Sequence, residues 1–520
     1  MNVGEWTTIR ARLDPGKPIV QCDDGRSYNN LEFNRRVNRL ANSLPGLGVK
    51  RGDRVAALFP NNPEFLELLF AAGKLGVIMV PLNFRLAPAE LAYILEDSGS
   101  KVLLYTPEFA VQAAELKGLT GIVEHFIAVG GGNEGDLDYE EWISHAPETE
   151  PVVEREVTLD DPHFIMYTSG TTGRPKGAVL THGNTLWNGV NAILMYSLSG
   201  DDINLVSAPL FHIGGLSAAA TPIIYSGGQV VLTRFFVPDQ VLEFIEKYKV
   251  TAMFGIPIMF LLMSMSDKFP SADMSSIEAM IAGGAPCPVP LIEKYQEKGV
   301  VFAQGYGLTE TAPAVSALPE EDVFRKRGSA GKPCFHVDIR IFDENDNELA
   351  QGEMGEIVVK GPNVFKEYWN MPEETAQALR GGWFHTGDMG RFDEEGYLYI
   401  VDRKKDMIIS GGENIYPAEV EDCIHAHPAV ADVGVIGMRD RKWGEAPLAL
   451  VVVAAGSELS EDEVIEFCRG RLAGFKTPRR VIFVDELPRT PTGKILKKEL
   501  RALYAPEGDA SIVERSELGG

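Results

Sequence analysis

The densest concentration of phosphate-binding chemistry in the chain is Tyr167-Thr168-Ser169-Gly170-Thr171-Thr172-Gly173-Arg174-Pro175-Lys176-Gly177. Its glycines let backbone N–H groups close around an anion. The hydroxyls of Thr168, Ser169, Thr171 and Thr172 add donors, and Lys176 adds a positive charge. The GxxxxGK[ST] spacing of a Walker loop is absent and Pro175 precedes the lysine, so the residues by themselves fit either a phosphate loop of another kind or a flexible Ser/Gly surface loop.

Such a loop needs flanking elements to hold it. The apolar runs Phe164 to Met166 and Ala178 to Leu180 predict strands on either side. Further strand signals occur at Val55 to Phe59, Val77 to Val80, Lys101 to Tyr105, Phe126 to Val129 and Gln229 to Leu232. Helical stretches such as Pro63 to Gly73 and Asp239 to Tyr248 lie between them, which predicts α/β layering through residue 320 or so. From about residue 328 to 401 the texture becomes β-rich, with strands at Val337 to Phe342, Gly355 to Val359 and Tyr397 to Val401. A compact unit then follows: a helix at Pro417 to His425, strands at Val430 to Gly437 and Leu448 to Ala454, a helix at Glu461 to Leu472 and a strand at Arg480 to Val484. The expected division is 1–401, including a β-rich subdomain at about 328–401, and 402–520.

Composition sets outer limits. At 520 residues, 45% hydrophobic and 24% charged, the chain is ordinary globular protein of more than one domain. Its net charge, 49 − 74 = −25, argues against general binding to nucleic acid or anionic membranes. Cys22, Cys287, Cys334, Cys423 and Cys468 are scattered and lack CxxC spacing, which predicts idle thiols in a reducing, cytoplasmic setting rather than disulfides or a zinc site. No apolar signal region opens the chain. The apolar stretch Leu66 to Leu82 is interrupted by Glu67, Lys74 and Pro81, so it reads as a buried helix and strand rather than a membrane span.

The loop at 167–177 resembles the phosphate loop of the adenylate-forming superfamily, which includes acyl-CoA synthetases, peptide-synthetase adenylation domains and beetle luciferases. Other motifs agree in order and spacing, from about Tyr28 to Leu500. Gly283-Gly284-Ala285-Pro286 resembles the loop that lies along adenine. Gln304 and Gly305 lead into Tyr306-Gly307-Leu308-Thr309-Glu310, which is similar to the motif that stacks on adenine, holds a phosphate oxygen through Thr309 and binds Mg²⁺ through Glu310. Thr386-Gly387-Asp388 resembles the ribose motif, with Ile400 and Arg403 as further nucleotide contacts and Asp402 as the hinge. Pro491-Thr492-Gly493-Lys494 resembles the catalytic-lysine motif.

The resemblance implies a large N-terminal domain of layered α/β sheets and a small mobile α+β C-terminal domain. It also implies ATP, Mg²⁺ and CoA as co-reactants. A carboxylate would attack the α-phosphorus of ATP and expel pyrophosphate, with Lys494, Thr309 and Glu310 meeting the charge on the phosphoryl oxygens. After rotation about Asp402, CoA would take the acyl group. Gly411, Gly412, Glu413 and the Lys442-Trp443-Gly444-Glu445 segment stand where relatives line the CoA site.

For the acid, Pro209-Leu210-Phe211-His212 matches the family's acid-site motif, with His212 as gate or wall. No acidic residue stands beside it to pair an amine, which argues against amino-acid substrates. Gly307 replaces the tryptophan of acetate-specific relatives. Trp187, Gly214, Gly215, Gly255, Ile256, Pro257, Thr311, Ala312 and Pro313 complete a small or apolar pocket with no cation for a second carboxylate. A monocarboxylic acid is expected, a medium- or long-chain fatty acid first and an aryl or cyclic acid next. Ile409 stands where plant hydroxycinnamate ligases commonly carry lysine, so the chain is not expected to be closely of that type. The rivals are an acyl-AMP ligase that loads a carrier protein and a luciferase-like oxidative enzyme. A homodimer and peripheral contact with lipid stay open.

Overall fold

The computed structural model describes residues 2–168, 175–285, 287–403, 406–410, 413–440, 443–469, 471–489 and 495–505, with backbone alone at 402, 403, 413 and 414. The chain divides into two compact units. One comprises 1–339 with 359–385, the other 340–358 with 386–520.

Two sheets dominate the first unit. Among the described residues, one has nine strands, of which Phe302–Gly307, Ala279–Ala282, Ala252–Gly255, Ile203–Val206, Gln229–Leu232 and Pro18–Cys22 are consecutive and parallel. The other has eight strands and places Lys176–Thr181 and Pro162–Thr168 beside Ile78–Pro81, Arg54–Leu58 and Ser100–Tyr105. The strands of the parallel blocks read as short continuous apolar runs, as strands covered on both faces do. Leu205, Val231, Met253, Met280 and Phe302 of the nine-stranded sheet pack with Val241, Ile245, Phe260 and Tyr295 from neighbouring helices. Ala56, Val80, Leu103 and Val179 of the other sheet pack with Leu91, Leu95 and Leu116.

The helix Pro63–Leu75 shows how local rules set an element. Asn62 caps it by accepting from Phe65 N–H, Pro63 occupies the first turn, and Gly76, at φ 69°, ends it. With the following strand Ile78–Pro81 it is the buried apolar stretch expected from sequence. No described helix is long and apolar enough to cross a membrane.

In the second unit, a four-stranded sheet includes Phe384–Phe392 and Leu398–Arg403, antiparallel to each other. Beyond it, Val430–Asp440 and Gly444–Val453 form a long antiparallel pair, with Arg480–Phe483 parallel to the latter. Helices Pro417–His425 and Glu461–Arg469 pack Val420, Ile424, Val464 and Cys468 onto one face of it. All five cysteines are free thiols, and four of them are buried.

The helix His182–Tyr196, which follows the phosphate-loop hairpin, is anchored at its first residue. His182 stacks on His163 with ring centroids 4.4 Å apart, and its Nδ1 accepts from Val3 N–H at 3.2 Å. Burial pushes His163 down to about 4, against the bond it donates to Leu69 O, and it pushes His182 down as well. A buried neutral histidine stabilises the fold above its unfolded pKa of about 6.5. That contribution is lost as pH falls from about 6.5 towards 4, because the unfolded chain takes up the proton first. The shift at His163 corresponds to about 3 kcal/mol at most. Urea midpoints should therefore drop between pH 7 and pH 5, and the drop should shrink in His163→Gln. Equal slopes in both proteins would rule this origin out.

Candidate active site

The phosphate loop joins two antiparallel strands, Pro162–Thr168 and Lys176–Thr181, with Thr168 paired to Lys176. Thr168 Oγ1 donates to Lys176 O at 3.5 Å. Ser169, Gly170, Thr171, Thr172 and Gly173 lie outside the described residues. Lys176 extends from the hairpin so that its Nζ stands 5.3 Å from the centre of the Tyr368 ring. The Tyr368 hydroxyl donates to Glu310 Oε1 at 2.8 Å. Three sequence-distant segments thus place a cation, a phenol and a carboxylate side by side.

Tyr368 is held there by pairing with Ala178 and by the Phe365 ring, 4.7 Å away. The backbone of Glu310 is fixed as well, since its carbonyl accepts from Phe365 N–H at 2.7 Å. Glu310 and Thr309 are 9% and 8% exposed, so each reaches the surface by an edge. Among the described residues there is no cluster of three or more His, Cys, Asp or Glu side chains able to hold a metal. A single edge-exposed carboxylate fits Mg²⁺, which takes one or two protein carboxylates and fills its shell with phosphate oxygens and water. Tyr368 was missed by sequence reasoning, for nothing in Glu367-Tyr368-Trp369 signals a partner 58 residues upstream.

The expected adenine-side residues lie at the carboxyl ends of two neighbouring strands. Gln304, Gly305, Tyr306 and Gly307 lie on Phe302–Gly307, whose parallel neighbour Ala279–Ala282 ends at Gly283-Gly284-Ala285. Ligands of open α/β sheets bind off these carboxyl ends. Among the described residues, Gln304 Oε1 is buried without a hydrogen-bond partner, an acceptor available to an amino group. Pro286 lies outside the described residues.

The acid-side residues surround one aromatic ring. His212 is half-buried, and its Nδ1 lies 3.4 Å from Gly214 N–H, ahead of the π-helical turn Gly214–Ala220. A methyl at Gly214 would meet the Phe254 ring at 2.5 Å, and one at Gly283 would meet the same ring at 2.8 Å. Gly283 in turn faces Gly305 O at 3.5 Å, and Gly305 faces the Tyr196 hydroxyl at 3.4 Å, measured from the same ideal Cβ positions. Gly214, Phe254, Gly283, Gly305 and Tyr196 therefore form a continuous wall. Phe254 and Tyr196 were not expected from sequence. Phe254 sits in an apolar strand where it reads as core, and Tyr196 ends a helix.

Other expected pocket residues serve the backbone. The Thr311 hydroxyl accepts from Leu308 N–H and has Pro313 O at 2.8 Å and Leu308 O at 3.0 Å as alternative acceptors for its one proton, all within its own turn. Ala312 takes φ 64° there, before a cis bond to Pro313. A Cβ at Gly307 would lie 1.6 Å from Pro313 O, and one at Gly215 would lie 2.2 Å from Pro209 O. These two glycines are required by close backbone approach, which is a different reason from pocket width. Gly255 abuts Phe260, whose ring would be 2.9 Å from an added methyl. Trp187 packs against His336, ring centroids 4.8 Å apart, and the His336 ring is fixed by Asn191 Oδ1 at 3.1 Å.

The remaining expected residues belong to the second unit. Asp388 is 4% exposed, with its N–H donating to Thr386 Oγ1 at 3.0 Å. Thr386 Oγ1 donates to Ile357 O at 2.7 Å, and Gly387 N–H donates to Glu356 Oε1 at 3.1 Å with φ 70°. On the adjacent strand Arg403 pairs with Asp388, Asp402 with Met389 and Ile400 with Gly390. Trp443 is exposed, its N–H donating to Asp440 Oδ1 at 2.8 Å. The Glu413 side chain and residues Gly411, Gly412, Lys442 and Lys494 lie outside the description.

Comparison with known proteins bears directly on this arrangement. Residues 8–369 match the model for an AMP-binding enzyme, and residues 419–494 match that for the AMP-binding enzyme C-terminal domain. A feruloyl-CoA synthase from an Amycolatopsis species is 47% identical over 502 residues, covering 96% of this chain and 99% of the relative. The long-chain-fatty-acid–CoA ligase FadD13 of Mycobacterium tuberculosis is 42% identical over 97% of this chain and 99% of its own. The crystal structure of ATP-bound MatB from Rhodopseudomonas palustris superposes with a TM-score of 0.89 at 33% identity, covering 97% of this chain and 99% of that one.

Proposed function

We propose the acid on which this chain acts from one premise: the chain belongs to the AMP-binding enzyme family and is an acid–CoA ligase. That acid is an aryl acid of the hydroxycinnamate kind. The observation that carries this reading is the 47% identity, end to end, with a feruloyl-CoA synthase. The Phe254 ring, packed against Gly214 and Gly283 near the acid-site motif, supports it, since an aromatic face suits a planar substrate. The sequence alone put a medium- or long-chain fatty acid first. The 42% identity with a fatty-acid ligase keeps that as the second reading.

The acid's carboxylate attacks the α-phosphorus of ATP, and pyrophosphate leaves with the electron pair of the broken bond. Lys176 and the Thr309 hydroxyl meet phosphate oxygens from one side, and Lys494 meets them from the C-terminal domain. Glu310, oriented by Tyr368, would hold Mg²⁺, whose charge when bound offsets that of the phosphates. Gln304, Tyr306 and the 283–286 loop take the adenine, and Asp388 with Arg403 takes the ribose. Residues 402–520 then turn about Asp402 against residues 1–401. Gly411, Gly412, Glu413 and Trp443 guide the CoA thiolate to the acyl carbon, and AMP departs.

A panel of ferulate, cinnamate, decanoate and palmitate with ATP, Mg²⁺ and CoA tests the reading, with thioesters identified by mass spectrometry. The largest kcat/KM is expected for ferulate, with pyrophosphate and AMP formed in step with the thioester. Preference for decanoate or palmitate would replace the aryl reading with the fatty one. Formation of ADP would refute attack at the α-phosphorus.

A further inference from the structure

We propose that the Tyr196 hydroxyl is the specificity-determining contact for an oxygen substituent on the aryl ring, at the end remote from the carboxylate, an inference that rests on the aryl reading above. Tyr196 is the last residue of the helix His182–Tyr196, and its phenol reaches the strand Phe302–Gly307. Its Oη lies 3.4 Å from the position a Cβ would take at Gly305. Gly305 adjoins Gly283 through its carbonyl, Gly283 adjoins Phe254, and Phe254 adjoins Gly214, two residues from His212. The hydroxyl therefore closes the far end of the wall whose near end is the acid-site motif.

The surroundings of the hydroxyl are mostly apolar, with the Ser316 carbonyl oxygen 3.6 Å from the same Gly305 position. The Ile281 side chain lies 3.6 Å from the same Gly305 position, and buried Cys334 contacts Met195 beside it. Among the described residues Tyr196 Oη makes no hydrogen bond. Burial raises the Tyr196 phenol well above its ordinary pKa, so the proton stays and the group offers both a donor and an acceptor. A ring hydroxyl, methoxy or carbonyl oxygen can pair with it. An alkyl chain or an unsubstituted ring filling the same slot would cover it without a partner. Sites that pair a substrate hydroxyl discriminate against the analogue that lacks it.

The experiment compares 4-hydroxycinnamate with cinnamate in the full-length wild type and in Tyr196→Phe, following pyrophosphate release with ATP, Mg²⁺ and CoA. The wild type should favour the hydroxylated acid by about fivefold to tenfold in kcat/KM, and the variant should lose that preference. The change should fall mainly on KM, because the ring oxygen is remote from the reacting carboxyl. Gly305→Ala, which places a methyl against the hydroxyl, should reduce 4-hydroxycinnamate turnover more than cinnamate turnover. It gives the same reading should Tyr196→Phe fold poorly. If the wild type uses both aryl acids and the preference survives in both variants, the Tyr196 contact is refuted while the aryl reading stands. If the wild type uses neither aryl acid but ligates decanoate, both are refuted.

Discussion

Lys494→Ala is expected to slow acyl-adenylate formation by about 10²- to 10³-fold while leaving the conversion of pre-formed adenylate and CoA to thioester near its wild-type rate. The first step builds charge on oxygens of the α-phosphorus, and a cation aimed there is worth most in that transition state. Lys176 does not substitute for it. It stands beside Tyr368 and Glu310 in the first unit, and the proposed mechanism gives it the outer phosphates rather than the α-phosphorus. In the proposed second step the nucleophile is a thiolate and the leaving group is AMP, so a cation that the proposed rotation carries away would have nothing to contribute. Asp402→Pro should give the mirror image. Proline fixes φ near −65° and removes an N–H from the strand Leu398–Arg403, so adenylate should form while thioester formation stalls. Single-turnover kinetics of each half-reaction, run separately, check both variants. Equal slowing of the two steps by Lys494→Ala would defeat the two-conformation mechanism.

What the sequence made legible is what depends on near neighbours. The helix Pro417–His425 was bounded to the residue, because Pro417 can open a helix and the apolar positions Val420 and Ile424 repeat at helical spacing. The strands around the phosphate loop were longer than expected by one or two residues at each end. Their paired residues Thr168 and Lys176 are polar, and only the cross-strand partner keeps them in register. The motifs were legible because their residue types are tied to chemistry. What supports them was not. Tyr368 reaches Glu310 across 58 residues, and Phe254 meets Gly214 and Gly283 from an apolar strand that reads as core. Gly307 shows a subtler limit. Sequence tells that no side chain is present, and the structure adds that the Pro313 carbonyl forbids one.

Glu310→Gln carries the other large expected effect, a loss of about 10²- to 10³-fold in adenylate formation, with a raised Mg²⁺ requirement. The substitution is nearly isosteric. The amide oxygen can still accept from the Tyr368 hydroxyl, so the local structure should survive and the thermal midpoint should stay within a few degrees. What disappears is the negative charge that the Tyr368 hydroxyl aims. Tyr368→Phe separates the two roles, for it keeps the charge and removes the bond that aims it. A charge-assisted hydrogen bond is worth about 1.5–3 kcal/mol, much of which is recovered when water replaces the phenol at an edge-exposed carboxylate. A loss of about tenfold is therefore expected, with the Mg²⁺ midpoint shifted less than in Glu310→Gln. Pyrophosphate release measured across a Mg²⁺ titration at saturating ATP and acid distinguishes the cases. A Glu310→Gln enzyme with an unchanged Mg²⁺ midpoint and rate would show that Glu310 is a buried turn acid and that the metal is held elsewhere.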